Sequence, residues 1–173
     1  MARYSTSVVS QTAQLANAPV TTTVNGYIGY WGASATAGFR LRRLQIGMLT
    51  TTAVVPTSQQ FAVAVYRQTV APSGTGLAAA VLGQPMEIWT PQTDPTVGMI
   101  VTTATTIGTT GPTLAANPLF TVVGNTQSFF DVPDDYIEEI VCNLGTANGI
   151  AFVNVGNTLP SGHFIKLTAE IEV

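Results

Sequence analysis

Few side chains in this sequence of 173 residues are of a type that does chemistry. His163 is the single histidine, in Pro160-Ser161-Gly162-His163. That placement reads as a turn leading into a strand rather than as a general base held against a nucleophile. Cys142 is the single cysteine and lies in the apolar run Ile140-Val141-Cys142, where a buried, inert thiol is expected. One histidine and one cysteine cannot build a conventional zinc site within one chain, and a lone cysteine allows no internal disulfide. The glycines fall at strand ends rather than in a phosphate-binding loop or a dinucleotide motif. The sequence therefore predicts no enzyme, no metal and no cofactor.

Two charged groupings remain. Asp131, Asp134, Asp135, Glu138 and Glu139 fall within nine positions and carry the oxygens that calcium prefers. They lack the Asp-x-Asp-x-Asp-Gly spacing of a calcium loop, so a solvated strand entry is the simpler reading. Arg40, Arg42 and Arg43 gather half of the six basic residues in one short stretch. On a chain of net charge −3 and pI near 4.8, three arginines make a poor nucleic-acid surface, which needs a broad basic face. Two readings stand: ion pairs with an acidic cluster on a neighbouring subunit or partner, or exposed arginines on one sheet face.

The elements that position these groups are strands. Phe39 and Leu41 alternate with Arg40 and Arg42, then Leu44, Ile46 and Met48 resume on the other parity. One extra residue that keeps the apolar side chains on one face predicts a β-bulge at Arg42-Arg43. Phe61 to Arg67 reads as a central strand buried on both sides. Tyr27, Ile28, Tyr30 and Trp31 form an aromatic strand closed by turn residues 32–38. Met86 to Trp89, Met99 to Val101, Ser128 to Val132, Tyr136 to Cys142 and Gly149 to Val155 read as further short strands. Leu77 to Leu82 is compatible with one or two helical turns, and Thr102 to Thr113 with a polar loop or an edge strand. In the final stretch, Ile165, Leu167, Ala169, Ile171 and Val173 are expected inward and Lys166, Thr168, Glu170 and Glu172 outward. Short strands between turns, without βα alternation, predict an all-β fold: a single-domain antiparallel β-sandwich, jelly-roll-like. Residues 1–24 form an N-terminal arm or a first strand, and residues 25–173 the sandwich.

Composition adds an assembly argument. Charged residues are 9% of the chain and hydrophobic ones 46%, against about 25% charged in an average soluble domain. Mean hydropathy is +0.32, yet the longest apolar runs are too short for a membrane-spanning helix. A surface this poor in charge is expected to face other protein. Residues 1–7 lack the apolar region of a secretory signal, so synthesis in a cytoplasm is expected.

The opening Met-Ala-Arg-Tyr-Ser-Thr-Ser-Val, the strand Ala37-Gly38-Phe39-Arg40-Leu41-Arg42-Arg43-Leu44, the Asp94-Pro95 turn and the Thr-rich stretch ending Gly111-Pro112-Thr113 resemble, in their order, small virion proteins of tailed phages in the head decoration (cement) class. The resemblance spans most of the chain loosely and departs from it at Phe129–Cys142, which is more acidic and aromatic. It implies a capsid-exterior subunit, a homotrimer bound to the major capsid protein and engaging neither nucleic acid nor membrane. The candidate interface residues are Arg3, Tyr4, Arg40, Arg42, Arg43, Asp134 and Asp135. Two alternatives remain: a tail or neck subunit, and a receptor- or glycan-binding module using Tyr27, Tyr30, Trp31 and Trp89 as a stacking platform.

Overall fold

A computed structural model describes residues 3–9, 27–33, 35–50, 58–70, 100–103, 113–132 and 140–173. The described part is all strand and turn, in two antiparallel sheets, as the alternating patterns predict. Sheet A contains β1 (Arg3–Val9), β11 (His163–Glu172), β3 (Phe39–Thr50) and β8 (Phe130–Val132) in that spatial order, with β9 (Val141–Cys142) also on β3. Sheet B runs β5 (Ile100–Thr103), β2 (Tyr27–Gly32), β10 (Gly149–Asn154), β4 (Gln60–Val70) and β6 (Thr113–Leu114), with β7 (Phe120–Asn125) also on β4. Of the N-terminal segment, residues 3–9 are thus a strand of sheet A, paired along their whole length with β11.

The core lies between the sheets. Leu41, Leu44, Ile46, Ile165, Leu167 and Ile171 of sheet A meet Phe61, Val63, Val65, Ile150 and Phe152 of sheet B, all at most 1% exposed. Trp31 is buried in the same core, edge-on to Phe152 with ring centroids 4.3 Å apart and planes at 81°. Each such side chain contributes about 1.5–3 kcal/mol on burial. The central strand reads as its sequence suggests: Val63 to Tyr66 are buried on both faces. On the face of sheet B away from the core, Ala64, Tyr66, Ala151 and Val153 form a second buried cluster with Leu114 and Val155. The part of the outer face around these four residues is therefore buried within one chain.

The strand β7, FTVVGN, has no counterpart in the sequence reading. It pairs with β4 from Gln60↔Asn125 to Val65↔Phe120 and, among the described residues, forms an edge of sheet B. The strand expected over Ser128–Val132 starts at Phe130, because Ser128 closes a turn on Asn125. The expected elements at Leu77–Leu82 and Met86–Trp89 lie outside the described residues, as does most of Tyr136–Cys142.

Candidate functional site

The bulge expected at Arg42-Arg43 is present and organises the charged face of the molecule. Along β3, Leu44 pairs with Ala169 and Arg43 with Glu170, but Ile171 then pairs with Leu41, so Arg42 is the extra residue. Leu41 and Leu44 both point into the core at 0% exposure. The two arginines between them turn to the outer face, because neither guanidinium can enter an apolar core without losing its hydration.

There they meet carboxylates from both flanking strands. Arg42 donates from Nε and pairs through Nη2 to Oε2 of Glu172 on β11. Arg43 pairs through Nη2 with Asp131 Oδ2 on β8 at 2.5 Å, and its Nε lies 3.2 Å from both Asp131 oxygens. Its Nη1 reaches Glu170 Oε1 at 3.4 Å. This forked geometry is what a guanidinium offers a carboxylate and an ammonium does not. The hydrogen bonds from Arg43 hold the Asp131 carboxyl below its usual range, and Asp131 in turn raises Arg43.

The outcome bears on two expectations. The sequence left two readings for these arginines, ion pairs with another subunit or partner and exposure on one sheet face; Arg42 and Arg43 lie on that face and make ion pairs inside the chain. Glu172 faces outward as its parity requires, yet it is only 9% exposed, because Arg42 lies across it. Arg40, by contrast, is exposed on the same face and makes no ion pair among the described residues. Arg3 and Tyr4 occupy the β1 register positions opposite Glu172 and Ile171. Asp134 and Asp135 lie outside the described residues, as do Glu138 and Glu139. Sheet A thus carries Arg3, Arg40, Arg42, Arg43 and Lys166, whereas sheet B carries Arg67 alone.

Arg67 serves structure: its Nη1 donates to the Val141 carbonyl at 2.8 Å, tying β4 to β9 across the sandwich. Cys142 next to it is 2% exposed, and burial pushes its thiol up to about 11, an unreactive range at neutral pH. His163 opens β11, 1% exposed, with its backbone N–H donating to the Pro160 carbonyl at 3.2 Å. Among the described residues no cluster of three or more His, Cys, Asp or Glu side chains is placed to hold a metal ion. Trp31, one of the proposed stacking aromatics, is 1% exposed and unavailable to a ligand. Trp89 lies outside the described residues.

Among the described residues, large apolar side chains are exposed in three places. Val70, Leu119 and Val123 are 54%, 39% and 60% exposed at the β4–β6–β7 edge of sheet B. Leu49 and Phe129 lie at the end of β3, and Val141 of β9 lies near Leu144 just beyond that strand. The aromatic at Phe129 was not singled out from sequence; its exposure follows from Gly47 beneath it, which has no side chain to enclose the ring.

No protein-family model matches the chain, and no curated protein or solved structure matches it.

Proposed function

We propose that this chain is a structural virion subunit, a capsid decoration or cement protein that binds the major capsid protein from outside and self-associates as a trimer. It would be made in the host cytoplasm and act on the capsid exterior. Its work would be binding free energy across capsomer joints rather than a reaction.

The observation that carries the reading is the division of the surface. Among the described residues, charge is gathered on the outer face of sheet A and largely consumed by pairs within the chain, while the β4–β6–β7 edge presents Val70, Leu119 and Val123 without a charged neighbour on β7. An uncharged strand at the edge of a sheet, as β7 is among the described residues, is a template for pairing, and monomers normally blunt such edges with lysine, proline or a bulge. FTVVGN has no lysine and no proline. Self-association is therefore assigned to this edge, not to the sheet faces, since the outer face around Ala64, Tyr66, Ala151 and Val153 is buried in the single chain. Arg40, left without an ion pair among the described residues, is the basic group best placed to meet an acidic capsid surface.

The strand orders β1-β11-β3-β8 and β2-β10-β4-β7 support the jelly-roll form of the sandwich, with β5 and β6 inserted between β4 and β7. That architecture is common in viral capsid proteins. Immunogold labelling of purified phage particles with antibody to this chain tests the placement. Label on the head exterior is expected. Label confined to the tail or neck, or none on the particle, overturns the capsid assignment.

A further inference from the structure

We infer that the end of the sandwich beside Phe129 is a binding site for a neutral oligosaccharide. A cleft of about 530 Å³ opens there between the end of β3 (Gly47, Met48, Thr50) and the connection from β7 to β8 (Thr126–Phe129). Its volume lies within the range of small-ligand sites, about 300–1,000 Å³.

Three features select a sugar. First, among the described residues no ionisable side chain lines the cleft, Lys166 opposite Gly47 in the β3–β11 register standing outside the lining, so a charged ligand would gain no counter-charge from the cleft itself. Second, Phe129 is 63% exposed and stands over Gly47, where a Cβ would be 3.7 Å from Cδ2. An aromatic face held open in this way suits the C–H face of a pyranose ring, while the rest of the ligand stays polar. Third, the Thr50 hydroxyl and the Gln127 carboxamide make no side-chain hydrogen bond among the described residues, and together they supply donors and acceptors. A sugar hydroxyl needs both.

The wall is also built before any ligand arrives. Ser128 Oγ donates to the Asn125 carbonyl at 2.8 Å and accepts from Asn125 N–H at 3.1 Å. The Gln127 N–H donates to Asn125 Oδ1 at 3.0 Å. Thr126 N–H donates to the Gln59 carbonyl at 2.8 Å, and Gln59 N–H donates to Thr126 Oγ1 at 3.0 Å. These bonds fix the turn and hold Gln127 and Phe129 outward, so little ordering remains to be done on binding. The site is independent of the capsid reading: a decorated particle and a free receptor-binding module would use it alike.

Saturation-transfer NMR on the full chain, with maltotriose, cellotriose, lactose, N-acetylchitotriose and mannotriose as probes, tests it. Transfer to at least one of these sugars is expected, with Phe129→Ala and Gln127→Ala each weakening it by about fivefold to tenfold. Leu144→Ala, exposed at the other end of β9, is expected to leave it unchanged. No transfer to any of the five overturns the inference, as does transfer that neither cleft variant reduces. Loss of self-association or particle binding in Phe129→Ala, without sugar transfer in the parent, would mark the cleft as a protein contact and overturn it equally.

Discussion

Deleting Arg42 should be far less harmful than deleting Gln45, three residues further along the same strand. Arg42 is the unpaired extra residue of the bulge. Without it, Phe39, Leu41, Leu44 and Ile46 still fall on one face, and the ladder with β11 closes in regular register. The loss is one ion pair and the neutralisation of Glu172, which is 9% exposed; partial burial puts that at about 1–3 kcal/mol. Deleting Gln45 cannot be absorbed so cheaply. Either Ile46 and Met48 turn outward, or the bulge is consumed and Leu44 turns outward while Arg43 is driven into the core. The first route loses the burial of Ile46 outright and that of Met48 in part, about 3 kcal/mol before any cavity is counted. The second loses one leucine and buries a guanidinium, about 4 kcal/mol or more. Against a typical total of about 5–15 kcal/mol, the Gln45 deletion should leave little folded protein. Urea denaturation followed by circular dichroism measures both. Equal midpoints for the two deletions, or a folded Gln45 deletion beside an unfolded Arg42 deletion, would refute the bulge reasoning.

Further outcomes follow from single contacts. A Cβ at position 38 would collide with the Cys142 carbonyl oxygen and the Leu144 backbone N–H, so Gly38→Ala should displace β9 from β3 at a cost of about 1–3 kcal/mol, read as a lowered thermal midpoint. The Asp131 carboxyl is depressed by Arg43, so its contribution is present above the unfolded value of about 3.9 and is lost as pH falls below it. Asp131→Asn should therefore shrink the drop in urea midpoint between pH 6 and pH 3, whereas an unchanged drop would show that the pair does not contribute. Cys142, 2% exposed with its thiol raised to about 11, should resist a disulfide reagent at pH 8 in the native chain and react at once in denaturant. Val123→Lys, at a position 60% exposed, should lower the native mass while leaving the circular dichroism spectrum intact.

The parts legible in the sequence were those where packing and parity agree. Leu41 and Leu44 with two arginines between them can share a face only through a bulge, so the irregularity was readable in advance. Glu172 was not, because alternation gives the direction of a side chain and says nothing of what lies over it; Arg42 covers it only through the bulge. β7 escaped notice because Val122-Val123 breaks alternation: Val122 is 5% exposed and Val123 60%, on an edge with one apolar face turned to solvent. Trp31 can be read as a platform, though such aromatics more often serve a core or interface, and the T-shaped contact with Phe152 from a distant strand places it in the core. Phe129 looked like the start of a strand. Its exposure depends on Gly47, 82 positions away in sequence.

Self-association through the β4–β6–β7 edge is what a cement subunit most needs. Light scattering after size exclusion, on the intact chain and on Val123→Lys side by side, addresses it. The prediction is a stable trimer for the intact chain, about three times its 18.1 kDa, reduced to monomer by the lysine. A monomeric intact chain, or a trimer indifferent to the lysine, would contradict the claim.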